Sequence, residues 1–506
     1  MSESIQQNRA GGSGHFLEEL RATLATHASR TAVYYRDSSV TYGELDARAR
    51  RWAARLHQLG VEPGDRVAVV TAAKLPFLTA HLGTLYAAAV SLPLNPRFTA
   101  DELRYFLQDS GARAVVAGDD ERPVIDSLRS ELPELRAVLA DAEVSGAPEG
   151  YFSEPAVGCE QACLMLYSSG TTGRPKGVVH THANLASSLR ALQEFWRFTP
   201  DDVLVNVLPL FHIHGLSFAT HLSLLTGSCM LMEDAFHPRR TMDLVGQGTV
   251  FMAIPTFYYS FLDRPEFKVA RREWCNVRLF TCGSAPIRAE VLPELEAVLG
   301  RPVINRYGMT EAHVITSLPL EGPWPQGSVG LPLPGIEVRV VKDDGTPAGP
   351  AEVGSVGLRG PNLFRNYWGN SDVTREAFAD GWFDTGDLGT RDAGGFLTLV
   401  GRKNDLIITS GFNVYPQVVE RVINECPGVR ESAVVGVPDR KRGERVIAAV
   451  VRSDETLSER TLRNYLSERL VDYQRPAAFV FVEALPRNAM GKVLRRELLR
   501  IMVGES

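Results

Sequence analysis

The sequence predicts an α/β protein whose parallel sheets are covered by helices, with a β-rich segment and then a small α+β unit behind it. Three observations carry this reading. Short β-branched or apolar runs alternate with helical patterns for most of the chain, the texture changes at Val329, and it changes again near residue 403. In the first part, RVAVVTA (66–72) precedes a helical stretch to Ala89, and ARAVVAG (112–118) precedes PVIDSLRSEL. VLVNVLP (203–209) leads into LSFATHLSLLTG, TVFMAIP (249–255) into FYYSFLDR, and VRLFTCG (277–283) into AEVLPELEAVLG. Such strand–helix alternation implies parallel pairing, with the crossover helices lying on the faces of the sheet. From Val329, GSVGLPLPGIEVRVV, GSVGLRG and GFLTLVGRK are short strands punctuated by Gly and Pro, a β-rich pattern. The final hundred residues predict helices near 415–426 and 458–470, and strands in SAVVGVP, VIAAVVR and AFVFVEALP. Composition puts the boundary of this last unit between Gly401 and Asp405.

The 506 residues allow two to four domains, and 44% hydrophobic with 23% charged content allows a large core. A net charge of −6 and a pI near 6.1 argue against a surface built for polyanions. No apolar run is long enough to span a bilayer, and Leu85–Leu92 is a core-sized segment. The polar, Gly-rich SESIQQNRAGGSGH after Met1 predicts disorder. Six cysteines, at 159, 163, 229, 275, 282 and 426, are scattered without C-x-x-C spacing. That pattern argues against disulfides and a zinc site, and for a reducing cytoplasm.

YSSGTTGRPKG (167–177) packs three glycines, four Ser/Thr hydroxyls and one lysine directly behind the apolar run Ala162–Leu166. Glycine lets successive N–H groups close around an anion, and Lys176 adds a fixed charge. The helical spacing of Leu185, Leu189, Leu192 and Trp196 predicts that the loop runs from a strand to a helix. The P-loop pattern is not met, since Pro175 precedes Lys176 and Gly177 follows it. Alone, the stretch reads equally as an anion cradle or as a surface turn. Four further segments share its character. RYGMTEAH (306–313) sets an aromatic, a threonine and an acid close together, and GWFDTGDLG (381–389) puts Asp387 in a Gly-rich turn. GRKNDLIITSGFNVYP (401–416) places an arginine before a glycine turn, and PRNAMGKVLRREL (486–498) places Lys492 after a glycine.

In this order the five segments resemble the adenylate-forming superfamily: acyl-CoA synthetases, luciferases and the adenylation domains of peptide synthetases. The resemblance runs from SVTYGELDARARRWAARL near the start to MGKVLRREL near the end. It implies an N-terminal domain, residues 1–402, of two doubly wound sheets and a β-barrel-like part, and a small mobile C-terminal domain, residues 403–506. It also implies two half-reactions: a carboxylate attacks the α-phosphate of ATP to give acyl-AMP and pyrophosphate, and then a thiol displaces AMP.

Carried over residue by residue, the resemblance implies that Ser168, Thr171, Thr172 and Lys176 hold the β- and γ-phosphates, with Ser169, Gly170 and Gly173 also in the ATP/AMP site. Gly283, Ser284, Ala285, Arg306, Tyr307, Gly308 and Met309 then line the ATP/AMP site, with the Tyr307 ring against adenine. Thr310 would donate to the α-phosphate, and Glu311, with Thr171, would bind Mg²⁺ through hard oxygens. Asp387 would accept from both ribose hydroxyls with Arg402 beside it, and Lys492 would bridge the substrate carboxylate and the α-phosphate. Lys492, Thr310, Glu311 and His212 form the implied catalytic set. Asn404 stands at the hinge position, where the family commonly has Asp or Lys. Without that context Glu311 reads as a cap or ion-pair partner and Arg402 as a surface cation. Arg174, Arg495 and Arg496 read as solvated charges.

The thiol acceptor and the acid are separate questions. LPLFHIHGL (208–216) lacks the aspartate with which amino-acid adenylation domains hold an α-ammonium. SGFNVYP resembles the glycine turn that lines the CoA tunnel of acyl-CoA synthetases, which implicates Ser410, Gly411 and Phe412. Coenzyme A is the favoured acceptor, and a carrier protein is the alternative. For the acyl pocket the resemblance implies His212, His214, Phe257, Tyr258, Gly308, His313 and Val314. LPLFHIHGL, NRYGMTE, GSVGLPLPG and GPNLFRNY look most like malonyl-CoA synthetases, where an arginine before the Tyr-Gly pair meets a distal carboxylate. Arg306 occupies that place, and an intrachain ion pair is its alternative role. EAHVITS departs from the malonyl pattern through His313 and Val314, which leaves a larger apolar or aromatic acid open.

Overall fold

The computed structural model describes residues 14–145, 153–168, 174–488 and 491–503. Its first sheet has seven strands, in the order Asn366–Tyr367, Lys176–Thr181, Ala162–Ser168, Val90–Pro93, Arg66–Val70, Ala114–Ala117 and Ala137–Ala140. Pairing is parallel from Ala162–Ser168 to Ala137–Ala140. The strand Arg66–Val70 is apolar on both faces because helices cover both sides, as a parallel sheet requires.

The second sheet has nine strands, with Val303–Met309, Leu279–Cys282, Val250–Ala253, Val203–Asn206, Cys229–Met232 and Thr31–Tyr35 adjacent and parallel. Antiparallel strands close both edges, His313–Ser317 with Leu331–Pro332 at one and Ser38–Thr41 at the other. The helix Lys74–Tyr86 is buried along nearly its whole length. Its buried Lys74 reaches the second sheet, where the ammonium donates to the Asn206 carbonyl at 2.7 Å. A five-stranded antiparallel sheet, Glu337–Val341 to Leu397–Arg402, stands where the barrel-like part is expected.

After residue 402 comes a short 3₁₀ turn, Lys403–Asp405, and then a separate five-stranded sheet from Ile407–Thr409 to Ala478–Phe481. Helices Pro416–Asn424 and Glu459–Ser467 match the two expected there. The apolar clusters divide at the same place. The main one ends at Leu397, and two others lie within residues 407–502.

Two expectations need correction. The loop after Ala162–Ser168 joins that strand to an antiparallel partner, Lys176–Thr181, and the helix begins only at His182. The capping box of Thr181 and Asn184 sets that start, so the apolar helical spacing was real but began one strand later. Arg495 is not a solvated charge. It pairs with both carboxylate oxygens of Glu420 (2.6 and 3.1 Å) and with Asp405 at 3.4 Å.

Candidate functional site

The residues expected to face the nucleotide come from two neighbouring strands of the antiparallel sheet and one edge of the nine-stranded sheet. Asp387 and Arg402 are cross-strand partners, and their side chains meet at 3.0 Å. Tyr307, near the end of Val303–Met309, donates its hydroxyl to the other Asp387 oxygen. Burial pushes the Asp387 carboxyl up, and the Arg402 guanidinium and the Tyr307 hydroxyl offset part of that rise. Lys492 feels both charges. Burial and Arg402 lower its pKa, while Asp387 and Asp405 hold it up. The backbone around Lys492 is a tight turn, with its N–H on Asn488 Oδ1 at 3.0 Å.

Glu311 lies 7% exposed in the turn after Thr310, and burial raises its pKa. The nearby Ser168 side chain offsets part of that rise, and Tyr367 donates to Oε1 at 3.3 Å. The Lys176 ammonium lies over the Tyr367 ring, 5.1 Å from its centre, so Tyr367 bridges the lysine and the acid. Among the described residues no group of three or more His, Cys, Asp or Glu is placed to hold a metal alone. A single carboxylate, Glu311, is a hard oxygen ligand of the kind Mg²⁺ takes when it is shared between protein and nucleotide. Ser169, Gly170, Thr171, Thr172 and Gly173 lie outside the described residues.

On the acyl side, Gly283, Ser284 and Ala285 follow the strand Leu279–Cys282, with Ser284 at φ +71°. Left-handed backbone at a non-glycine residue is held only where surroundings impose it, commonly at functional sites. Arg306 is 3% exposed and lies against the bare backbone of Gly283, where a Cβ would come within 2.6 Å of the guanidinium carbon. It donates to Ser284 Oγ at 3.4 Å and stacks over Phe218, 4.9 Å from the ring centre. Among the described residues it has no acidic partner in reach, so the intrachain ion pair is not made. Ser284 Oγ also lies 3.1 Å from His214 Nδ1. Arg306 Nε and His214 Nε2 are both buried without a hydrogen-bond partner.

The other expected acyl-pocket residues divide. His212 is largely buried beside Phe211, and burial brings its pKa down to about 4. Phe257 stacks on Phe236 at 3.9 Å. Tyr258, His313 and Val314 are fully buried, as His214 and Arg306 nearly are. Tyr258 donates to the Thr281 carbonyl at 3.0 Å, and His313 is bonded on both ring nitrogens. Gly308 and Met309 sit at a bulge where Val303–Met309 meets His313–Ser317.

The small domain presents a second set away from this site. Ser410 and Gly411 form an exposed turn at φ +52° and +82°, and Phe412, 52% exposed, stacks on Tyr473 at 4.5 Å. Asn404 lies in the 3₁₀ turn between Lys403, paired with Asp384 at 2.8 Å, and Asp405, paired with Arg495.

Sequence reasoning missed Tyr367 and Phe218, whose contacts come from other segments. Tyr367 lies within GPNLFRNY, but only pairing of Asn366–Tyr367 with Lys176–Thr181 brings it to Lys176.

The profile of the AMP-binding enzyme family matches residues 20–368, and that of the AMP-binding enzyme C-terminal domain matches residues 418–492. The chain is 34% identical to a feruloyl-CoA synthase of an Amycolatopsis species, covering 95% of this chain and 97% of that one. It is 32% identical to the bovine mitochondrial malonate–CoA ligase, over 91% and 86% of the two. ATP-bound MatB from Rhodopseudomonas palustris superposes with a TM-score of 0.92 at 37% identity, over 98% and 99% of the chains. The apo form of the same protein gives 0.80, over 96% and 98%. Matched along nearly its whole length in sequence and in fold, the chain belongs to the AMP-binding enzyme family and is an adenylate-forming acid–CoA ligase.

Proposed function

We propose that this ligase activates a short acid bearing a second anionic group, a dicarboxylate of the malonate class, and transfers it to coenzyme A. The observation that carries this reading is the pair of orphaned groups at Ser284. Arg306 donates to Ser284 Oγ, whose own proton is then free to go to His214 Nδ1, leaving the His214 Nε2–H unused. The two leftover groups, Arg306 Nε–H and His214 Nε2–H, are therefore both donors. A buried guanidinium without a counter-charge is costly by several kcal/mol. Burial lowers the Arg306 pKa only to about 10, so the charge persists at neutral pH. A carboxylate on the substrate would satisfy the charge and both donors together.

The chemistry follows from the residues around it. One oxygen of the reacting carboxylate attacks the α-phosphorus, and the bond to pyrophosphate breaks. Lys492 holds the attacking oxygen and the α-phosphate together as negative charge gathers there. Asp387, oriented by Arg402 and the Tyr307 hydroxyl, accepts from the ribose hydroxyls. Glu311 would hold Mg²⁺, which neutralises phosphate charge when bound. The thiol then attacks the acyl carbon, AMP leaves with the C–O bonding pair, and the thiol proton passes to solvent.

The division we infer is residues 1–402 and 403–506 with a hinge at Asn404, supported by the separate apolar clusters on each side. The ion pairs of Lys403 and Asp405 point the same way, since each ties one flank of Asn404 to a different part of the chain. The better superposition on ATP-bound than on apo MatB supports the ATP-binding arrangement. All six cysteines are free thiols, which supports a reducing, cytoplasmic setting, and no described helix is long and apolar enough to cross a membrane.

Pyrophosphate release across a panel of acids, with and without CoA, tests the substrate class. Malonate, methylmalonate or succinate should outpace monocarboxylates of equal length. Arg306→Met should erase that preference by about 10–100-fold, the worth of hydrogen bonds to a charged group. Faster turnover of a fatty or cinnamic-type acid by the unaltered enzyme would overturn it.

A further inference from the structure

A line of polar contacts crosses the interior between the acyl side and the Thr310–Glu311 turn, and the reaction as described makes no use of it. Ser217, His313 and His180 are all fully buried. His180 Nε2 lies 2.7 Å from the Thr310 carbonyl oxygen, which can only accept, so Nε2 carries the proton and Nδ1 is an acceptor. His313 Nε2 lies 3.2 Å from that Nδ1 and must therefore be the donor. His313 Nδ1 is left to accept from the Ser217 hydroxyl at 3.2 Å. One tautomer of each ring and one direction of donation satisfy the whole line, from Ser217 through His313 and His180 to Thr310. His313 adopts φ +56°, a left-handed conformation that a non-glycine residue keeps only under constraint.

The far end of the line belongs to the acyl side. Ser217 lies in the π-helical segment His214–His221, and irregular turns of this kind concentrate at functional sites. The same segment carries His214 against Ser284, Phe218 beneath Arg306, and His221, which meets His81 at 2.8 Å. The wall of the acyl side is thus linked by hydrogen bonds to the backbone of Thr310.

We propose that His180 and His313 are positioning residues for adenylation, carrying the placement of the π-helical wall to the Thr310 carbonyl and so to the Thr310–Glu311 turn. The proposal rests on Thr310 and Glu311 acting in the first half-reaction, and not on the identity of the acid. Misplacing a reacting group by about 1 Å costs on the order of 10²-fold. His180→Leu and His313→Leu should each lower kcat for pyrophosphate release about 10–100-fold, leaving thioester formation from supplied acyl-AMP unchanged. His180→Gln, whose amide nitrogen stands near the lost Nε2, should recover most of the rate. Because the two rings form one line, the double variant should lose no more than the worse single one.

Losses that multiply in the double variant, no recovery in His180→Gln, or equal loss in both half-reactions would each overturn the proposal. If the leucine variants do not fold, Ser217→Ala cuts the far end alone. A several-fold loss confined to adenylation supports the line, and full activity overturns it. Glu311→Gln separates the underlying assumption. If it spares adenylation, the assignment of the turn fails. If it abolishes adenylation while the histidine variants are unaffected, only the positioning line fails.

Discussion

The small domain offers two different surfaces, and they stand in opposite physical conditions. Around Lys492 the ammonium is partly buried and lies within the fields of Arg402, Asp387 and Asp405. Around Gly411 the turn is exposed, nothing lies within 4 Å of where a Cβ would stand, and Phe412 and Tyr473 stack in the open. One surface is assembled with the nucleotide side and the other is not. On the proposed roles the difference points to adenylation, since a charge-stabilising lysine must be placed before that step, whereas a thiol channel is needed only after it. Contacts between the small domain and the rest include Arg288 on the Arg430 carbonyl at 2.8 Å and Arg430 with Asp263 at 3.3 Å. An exposed ion pair such as Arg430–Asp263 is worth about 0–1 kcal/mol.

The largest expected break in this comparison is Lys492→Ala. It should cut acyl-AMP formation about 10²–10³-fold, the scale of losing one preorganised charge contact, and spare thioester formation from supplied acyl-AMP. Stopped-flow measurement of the two half-reactions decides it, and equal losses would make Lys492 a packing residue. Asp387→Ala comes next. Removing an acceptor for the ribose hydroxyls, and orphaning Arg402 and the Tyr307 hydroxyl, should weaken ATP binding by about 1.5–3 kcal/mol, seen by calorimetry. Unchanged affinity would take Asp387 out of the nucleotide site.

Gly411→Leu has the smallest effect on the fold and sharpens the contrast most. A side chain there meets no neighbour, yet φ +82° adds strain of about 1–2 kcal/mol. Acyl-AMP trapped with hydroxylamine should form nearly as before, while CoA consumption falls about tenfold or more, a loss of at least about 1.4 kcal/mol in that step alone. Normal CoA consumption at an unchanged melting temperature would refute a channel at Gly411. Parallel loss of both steps with a lowered melting temperature would reduce the glycine to its turn.

Much of the site was legible because its residues act through chemistry carried by short segments. A carboxylate in a glycine-rich turn, an acid behind an aromatic and a threonine, and a lysine behind a glycine each declare themselves within ten residues. Asp387 and Arg402 could be paired in function because their segments are distinctive, although only antiparallel register puts their side chains 3.0 Å apart. Arg495 shows the reverse. As sequence it is one of several cations beside Lys492, and its burial against Glu420 and Asp405 is decided by helix packing.

The sequence by itself determined the class of fold, the family and the acid–CoA ligase function. These depend on local periodicity and on motifs that keep their meaning wherever they lie. Only the tertiary structure decided that the glycine loop joins two strands, that Tyr367 bridges Lys176 and Glu311, and that Arg306 is buried without a counter-charge. It also decided that His313 is hydrogen-bonded through both ring nitrogens, to Ser217 and His180. The physical reason is that burial and pairing belong to sets of residues far apart in the chain, and a charge or an imidazole has no fixed role until its surroundings are assembled.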